Sequence, residues 1–209
     1  MNKHLIVYAK KPEAGKSKTR LGTRIGYDQA AGVYARLLFS YLTDLLRSDF
    51  IESAAITLSA VDKDSAAFFK AAYPEFRIVE QITGGLGERM QASFDEVFAL
   101  GAEAAVLTGS DIPILNAGLA AVAFHKLEEN QIVLGPAEDG GYYLIGMRKP
   151  GWNVFDDISW SNDTVLEETL KQVNELGLKK AFLPKGFDLD VEADYRRWIK
   201  LMKNDKAGG

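Results

Sequence analysis

The chain has 209 residues, of which 47% are hydrophobic and 26% charged, a globular composition that excludes a disordered chain. The net charge of −4 argues against general binding to nucleic acid or anionic membranes. There are no cysteines, which excludes disulfides, thiolate metal sites and cysteine nucleophiles. No apolar run is long enough for a membrane span and no signal peptide is recognisable, so we expect a cytoplasmic protein.

Short apolar runs alternate with longer amphipathic segments along the chain. The predicted strands are 4–9, 54–58, 77–81, 104–108, 132–135, 142–147 and 180–183. The predicted helices are 28–47, 64–72, 87–100, 117–127, one from about 164, and 193–202. Strand 142–147 follows its predecessor so closely that we expect antiparallel pairing. Thr164 and Glu167 indicate a capping box.

This alternation predicts an α/β fold, with three layers and a mostly parallel sheet carrying helices on both faces. We expect a single domain over residues 1–203 and a loose tail at 204–209. Ligands of such sheets bind outside the carboxyl ends of the strands, so the loops that follow strands are the candidate functional segments.

The first such loop, Lys10–Leu21, is strongly cationic and is a candidate cradle for a polyphosphate. Gly15 would let the backbone approach the ligand closely. A solvated basic loop is the alternative. A P-loop does not fit, because Lys10 stands where its first glycine is needed. The cations are Lys10, Lys11, Lys16, Lys18 and Arg20.

The second loop has three glycines, Gly84, Gly85 and Gly87, at a strand-to-helix turn followed by Arg89. Amides near a helix N-terminus suit an anion, although such turns are also common structural features.

Three aspartates are candidates for binding Mg²⁺, which prefers carboxylate oxygens together with water and substrate phosphates. Asp111 follows a buried strand, and Asp188 and Asp190 follow the last one. If the fold brings them together, they could hold one or two ions; otherwise Asp111 caps the next turn. His4 and His125 are not expected to be catalytic, and no Gly-x-Ser-x-Gly nucleophile elbow is present.

A further loop, 135–143, combines Asp139, Gly140 and Gly141 with two tyrosines. Its acidic and flexible residues suit a binding loop, and a simple hairpin turn is the alternative.

Together these segments resemble DUF2064, a bacterial domain family whose members are often described as glycosyltransferases of the A-type fold. The resemblance covers nearly the whole chain, including Ile158–Ser161 and Asp188–Asp190. The segments that carry it read Tyr-Ala-Lys-Lys-Pro-Glu-Ala-Gly-Lys-Ser-Lys-Thr-Arg-Leu at 8–21, Leu-Gly-Glu-Arg-Met at 86–90, Gly-Ser-Asp-Ile-Pro at 109–113 and Leu-Gly-Pro-Ala-Glu-Asp-Gly-Gly-Tyr-Tyr-Leu-Ile-Gly at 134–146.

The resemblance implies the nucleotide-diphospho-sugar transferase fold and similarity to 2-phospholactate guanylyltransferases and molybdenum-cofactor nucleotidyltransferases. It implies a nucleotide beside the first strand, with Lys18 and Arg20 over its phosphates as catalytic cations. It also implies Mg²⁺ or Mn²⁺ on Asp111 and an acceptor pocket at Asp139. The implied nucleotide-binding residues are Ala9, Lys10, Gly15, Lys18, Arg20, Gly87 and Arg89; the metal ligands are Asp111, Asp188 and Asp190; the acceptor residues are Asp139, Gly140, Gly141 and Ser161.

We therefore expect a Mg²⁺-dependent nucleotidyltransferase that moves a nucleotidyl group from a nucleoside triphosphate to a small phosphorylated acceptor. One alternative is a glycosyltransferase with a nucleotide-sugar donor. The choice stays open because two signatures are missing: the Gly-x-Gly-x-Arg loop of typical sugar nucleotidyltransferases, and the Asp-x-Asp of many glycosyltransferases, where residues 109–111 read Gly-Ser-Asp. Another alternative is a non-catalytic nucleotide-binding domain. We expect no nucleic-acid or membrane partner, and a homodimer is possible.

Overall fold

The computed structural model describes residues 1–207, without the side chains of residues 51 and 204–207. The strands are β1 (Lys3–Ala9), β2 (Ala54–Ala60), β3 (Arg77–Glu80), β4 (Ala104–Thr108), β5 (Ile132–Pro136), β6 (Tyr142–Arg148) and β7 (Lys180–Phe182). The helices are α1 (Thr19–Ile25), α2 (Tyr27–Arg47), α3 (Phe50–Ser53), α4 (Lys63–Ala72), α5 (Leu86–Ala99), α6 (Ala117–Lys126), α7 (Val165–Glu175) and α8 (Glu192–Ala207).

The strands form one seven-stranded sheet in the order β3-β2-β1-β4-β6-β5-β7. β1 pairs in parallel with β2 and β4, and β5 pairs in parallel with β7. β6 lies between β4 and β5 and is antiparallel to both, which confirms the expected hairpin. The mostly parallel α/β sheet predicted from the alternation of elements is confirmed.

Alternate residues of the strands pack on opposite faces of the sheet, as the period of two requires. On one face, Leu5 and Val7 join a core that includes α2, α4 and α6. On the other, Ile6 joins a core that includes α5 and α7. Helices therefore cover both faces, and the three-layer architecture is confirmed.

A smaller third cluster joins α1, α2 and α8 beside the sheet. Its members are Leu21 of α1, Leu37 of α2, Trp198 of α8, and Phe187 and Leu189 of the segment that precedes α8. This cluster fixes the segment after β7 against the loop after β1, although the two are far apart in sequence.

The structure differs from the sequence-based expectations at several helices, and α3 was not predicted at all. Helix α1 begins at Thr19 inside the expected loop. The capping box at Thr164 is wrong: the residue has helical backbone angles and no side-chain cap bond. Its hydroxyl instead contacts Asn162 and Glu168, each at less than 3 Å. Helix α8 continues to Ala207 into the expected loose tail, and residues 208–209 lie outside the described residues.

Within residues 1–207, no helix is both long and apolar enough to cross a membrane.

Candidate active site

A cleft of about 610 Å³ opens at the carboxyl ends of β1 and β4, next to the start of β6. This is the position expected for ligands of a parallel sheet. It brings together segments that are far apart in sequence. The predicted site residues that line it are Arg20, Asp111, Asp139, Gly141, Ser161, Asp188 and Asp190.

The last two aspartates reach the cleft because of the alternation in Phe187-Asp188-Leu189-Asp190. Phe187 and Leu189 are buried in the cluster with α1 and α8. Side chains two residues apart in an extended chain share a face. Burial of the two apolar residues therefore leaves Asp188 and Asp190 together on the cleft side.

Lys18 joins two of the three aspartates. Its ammonium Nζ lies 2.8 Å from Asp111 Oδ2 and 2.8 Å from Asp190 Oδ1, and donates a hydrogen bond to each. The Lys18 side chain is 4% exposed, whereas those of Asp111 and Asp190 are 39% and 42% exposed. Burial would lower the Lys18 pKa, but the two carboxylate charges outweigh it and raise that pKa, so the ammonium stays charged.

The backbone at Lys18 takes an unusual conformation, which neighbouring hydrogen bonds hold in place. Lys18 has left-handed angles, φ 48° and ψ 48°, which are uncommon for a residue other than glycine. Its carbonyl accepts the bond from Gly22 N at 2.8 Å that starts α1. The preceding turn is closed by Ser17 N, which donates to Glu13 O at 2.9 Å. The fold thus holds this lysine in place from both sides.

Arg20 lies on the first turn of α1, with its guanidinium Nη1 3.8 Å from Asp190 Oδ2. The Arg20 side chain is 75% exposed, so it can meet an anion entering from solvent. A smaller cavity of about 170 Å³ adjoins the cleft at Arg20, Asp111 and Asp190, and Lys10 and Lys18 line it as well. The two cavities therefore meet at the charged cluster.

The rest of the cationic loop is partly bonded within itself. Lys10 Nζ donates to Lys16 O at 3.0 Å, and Lys16 pairs with Glu13 at 3.0 Å. Gly15 has a positive φ of 76° in an exposed turn. Ala9, the last residue of β1, is buried at 4% exposure.

Gly87 and Arg89, predicted to bind nucleotide, do not line the cleft, although their neighbours Leu86 and Met90 do. Gly87 is buried where a Cβ would lie 3.0 Å from the Trp160 ring, so its lack of a side chain allows α5 to approach that ring. Arg89 Nη1 donates to Gln81 Oε1 at 2.9 Å.

One wall of the cleft is built from two turns that pack together. Gly140 has φ 91°, and a Cβ there would overlap the backbone of Asp163. Gly140 O accepts a bond from Leu166 N at 2.9 Å, which joins the two turns. Asp139 Oδ1 accepts from Gly141 N at 3.0 Å. Asp139 and Ser161 both line the cleft from these two turns.

Asp188 lies in the interior of the cleft. Burial, and then the nearby charges of Asp111 and Asp139, raise the pKa of Asp188 to about 7. The carboxyl of Asp188 therefore holds a proton more readily than that of an exposed aspartate.

The donor set matches a hard divalent cation in its chemistry but is not a preformed metal centre. Within the described residues, no three His, Cys, Asp or Glu side chains are grouped closely enough to hold a metal. Lys18 takes one oxygen from each of two aspartates, Asp111 Oδ2 and Asp190 Oδ1. The second oxygen of each carboxylate, together with Asp188, offers oxygen donors of the kind that Mg²⁺ prefers, and a bound ligand would have to supply the remaining oxygens.

Sequence reasoning missed several aromatic residues of the site. Tyr34 was interpreted as core, and it is buried, but its hydroxyl accepts from Lys10 N at 3.1 Å and contacts Ser110 Oγ at 3.0 Å. Trp160 and Tyr8 line the cleft, and Tyr8 Oη lies 3.0 Å from Ser93 Oγ. Tyrosines at helical spacing carried no signal for this, because their hydroxyl contacts depend on distant strand ends.

A family model matches residues 46–162, more than half of the chain, and is described as an uncharacterised protein conserved in bacteria, DUF2064. The chain belongs to the DUF2064 family. The family resemblance seen in the sequence is thus confirmed. No curated protein sequence matches the chain at a significant level.

Three solved structures are similar to this DUF2064 member. A provisionally named nucleotide-diphospho-sugar transferase from Desulfovibrio desulfuricans G20 is 33% identical, with a TM-score of 0.85 over 99% of this chain and 96% of that chain. The inositol-1-phosphate CTP transferase from T. maritima is 17% identical, with a TM-score of 0.53 over 93% and 91%. Rv0371c of Mycobacterium tuberculosis H37Rv, in complex with manganese, is 17% identical, with a TM-score of 0.52 over 96% and 99%. The nucleotide-diphospho-sugar transferase fold is confirmed.

Proposed function

We propose that the chain is a divalent-cation-dependent nucleotidyltransferase that moves a nucleotidyl group from a nucleoside triphosphate to a small phosphorylated acceptor. One observation carries this proposal: Arg20, Asp111 and Asp190 meet at the strand-end edge of one large cleft. Cations that meet polyphosphate oxygens and carboxylates that hold a metal are the two elements this chemistry needs.

The comparisons support the same reaction class. The inositol-1-phosphate CTP transferase shares the fold, and its name describes transfer from a nucleoside triphosphate to a phosphorylated acceptor. The manganese complex of Rv0371c lends support to a divalent cation on this fold.

In the proposed reaction, an oxygen of the acceptor phosphate forms a bond to the α-phosphorus, the bond from that phosphorus to the bridging oxygen breaks, and pyrophosphate leaves with the bonding electrons. The protein supplies position and electrostatics and no covalent nucleophile. Arg20 faces the β- and γ-phosphates as the accessible cation of the site. Lys18 adds fixed positive charge from beneath the aspartates.

Asp111, Asp188 and Asp190 are the residues proposed to hold Mg²⁺ or Mn²⁺. When bound, the ion neutralises phosphate charge as a Lewis acid. The nucleotide is proposed to lie along the loop after β1, near Ala9, Lys10 and Gly15, and to extend toward the start of α5 at Gly87 and Arg89.

Asp139, Gly140, Gly141 and Ser161 are proposed to border the acceptor. The first and last of these face the cleft from two turns that pack together. An acceptor held there would lie across the cleft from Arg20, on the far side of the transferred phosphorus.

A second candidate is glycosyl transfer from a nucleotide sugar. It is favoured by the name of the D. desulfuricans relative and by the Trp160 ring, which lines the cleft together with Asp139 and Asp163. An aromatic face beside carboxylates is an arrangement that suits a sugar ring with its hydroxyls. The two reactions release different products, pyrophosphate in the first and a nucleoside diphosphate in the second.

Calorimetric titration of the metal-free protein tests the proposal, with GTP, CTP, UTP, ATP, UDP-glucose and GDP-mannose each titrated with and without Mg²⁺. We expect one triphosphate to bind tightly and only with Mg²⁺. Preference for a nucleotide sugar would select glycosyl transfer. Nucleotide binding that does not depend on Mg²⁺, with no turnover, would indicate a non-catalytic nucleotide-binding domain. No binding of any nucleotide would refute a phosphate site here.

A further inference from the structure

We infer that Lys18 is an internal counter-ion that keeps divalent cations from the Asp111–Asp190 pair until a nucleotide is bound. This inference rests on the proposed function, because it concerns the metal proposed for that site. It assigns Lys18 a role as a positioning residue that acts through the two aspartates, which differs from the role of a direct phosphate ligand.

The first argument is the position of the ammonium. Lys18 Nζ lies at the same distance, 2.8 Å, from an oxygen of each carboxylate. A cation that bridged Asp111 and Asp190 would need the same space between them. In the ligand-free protein, a divalent ion must therefore approach the outer oxygens of both aspartates against the field of the ammonium.

The second argument is the charge of the site. Asp111 and Asp190 contribute two negative charges, and Lys18 and Arg20 contribute two positive ones, so these four paired groups are together neutral. A dication gains little from such a site alone. A bound triphosphate adds several negative charges and its own oxygen ligands, and completes the coordination that the protein leaves open.

The third argument is that the fold fixes Lys18 where it is. Its side chain is 4% exposed, and its backbone takes left-handed angles at the start of α1. Arg20, two residues later, is 75% exposed and can follow a mobile ligand. The two cations of this loop thus have different roles: the buried Lys18 pairs with the aspartates, and the exposed Arg20 is available to the phosphates.

Three roles for Lys18 give different results when its charge is removed. If Lys18 binds phosphate, the variant should lose affinity for the nucleotide and keep its affinity for the metal alone. If Lys18 is purely structural, the variant should be less stable and should bind the metal no more tightly. An internal counter-ion would gain affinity for the metal in the absence of nucleotide, because two half-exposed carboxylates are released together.

The experiment is titration of the nucleotide-free protein with Mn²⁺, with free Mn²⁺ read by electron paramagnetic resonance. We expect Lys18→Met to bind Mn²⁺ at least about tenfold more tightly than the wild type. Lys18→Arg, which keeps the charge, should restore weak binding. Lys70→Met, which removes one charge from an exposed position on α4, is the control and should bind Mn²⁺ as the wild type does. The double variant Lys18→Met with Asp111→Asn should lose the tighter Mn²⁺ binding expected of Lys18→Met alone.

Equal Mn²⁺ affinity in folded Lys18→Met and wild type would overturn the inference. Thermal unfolding reports whether each variant is folded, and Lys18→Gln is the second neutral variant. If neither neutral variant folds, the wild type alone provides the test. Its Mn²⁺ affinity must rise when a non-hydrolysable triphosphate is added. Tight Mn²⁺ binding by the wild type without nucleotide overturns the inference.

The same titrations separate this inference from the proposed function. A wild type that binds a triphosphate with Mn²⁺, alongside a Lys18→Met variant without any gain, refutes the counter-ion role alone. A gain in Lys18→Met, in a protein that binds no triphosphate, supports the counter-ion contact and refutes nucleotidyl transfer.

Discussion

The two sides of the cleft hold their charged groups in different ways. On the Lys18 side, the ammonium of Lys18 donates directly to both Asp111 and Asp190. On the Asp139 side, Asp139 accepts from the backbone two residues away, and Ser161 and Asp163 are exposed. One side is set before any ligand arrives, while the other fixes its backbone and leaves its side chains to the ligand. This is the division expected between common chemistry and substrate choice.

The largest expected effect is on the Lys18 side. Asp111→Asn should lower turnover at least about 100-fold, because it removes one carboxylate charge from the group that stabilises the transferred phosphate. Pyrophosphate release measures this once a nucleotide and acceptor are known, and calorimetry should show loss of the Mg²⁺-dependent part of nucleotide binding. The unfolding temperature is the control for an intact fold. An Asp111→Asn enzyme with normal turnover would refute the metal assignment.

The backbone of the Asp139 side should tolerate the replacement of a glycine by alanine less well than the backbone of the cationic loop does. Gly140→Ala should destabilise the protein by about 2–4 kcal/mol, because it combines a positive φ with overlap on Asp163. Gly15→Ala is the matched control: φ is also positive there, but the Cβ would meet open space, so the cost should be about 1 kcal/mol. Urea unfolding measures both. Equal losses would show that the two turns of the Asp139 side are not rigidly packed.

Asp139→Asn should separate the two sides functionally. Loss of the carboxylate charge should raise the acceptor KM about tenfold, the size of one charge-assisted hydrogen bond. Nucleotide affinity should stay within about twofold, since the Lys18 side is untouched. Steady-state kinetics with varied acceptor, together with nucleotide calorimetry, provides the check. A fall in nucleotide affinity with normal acceptor KM would reverse the assignment of the two sides.

The smallest expected effect lies away from both sides, at His4 near the start of β1. The ring is buried with Nε2 2.8 Å from Thr57 Oγ1. Burial, with a smaller contribution from Arg77, lowers the pKa of His4 to about 4 from 6.5. Between these values the unfolded chain binds more protons than the folded one. The stability is therefore complete above pH 6.5 and falls as pH drops toward 4, with about 1 kcal/mol lost by pH 5.5.

Urea unfolding at pH 7.5 and pH 5.5 checks this contribution of His4. His4→Gln should flatten the pH dependence of stability in that interval. Nucleotide binding at pH 7.5 should be unchanged, since His4 is at the opposite end of β1 from the cleft. The same pH slope in the variant and the wild type would show that another group is responsible.

The sequence was sufficient to predict the strands and the longer helices of the fold, because each strand is a short apolar run and each long helix has an apolar stripe. β4 begins and ends at the predicted residues, Ala104 and Thr108. The antiparallel β6 was predicted from the short connection that precedes it. Helix α1 was missed because its seven residues carry too short a pattern to separate it from the loop.

The candidate site was predicted residue by residue but not in its pairing. Charge and position after strands singled out Lys18, Asp111 and Asp190. That Lys18 bonds both aspartates was not visible, because its partners lie 93 and 172 residues away. Gly87 was predicted to bind the nucleotide, which stays a prediction, and the structure shows that it packs against Trp160. A glycine signals that a side chain is excluded, and its sequence neighbours do not say whether a ligand or a ring takes the space.

The bond between Lys18 and Asp190 has a consequence for folding during synthesis on the ribosome. The chain is made from its amino end, so the sheet strands β1 to β6 and most of the helices emerge before Asp190 is added. During that time Lys18 has no Asp190 to bond, and the segment that seals α1 against α8 is missing. A nascent chain can therefore bury most of its sheet while its charged cluster is still open, and the cleft reaches its final form only after Asp190 has emerged.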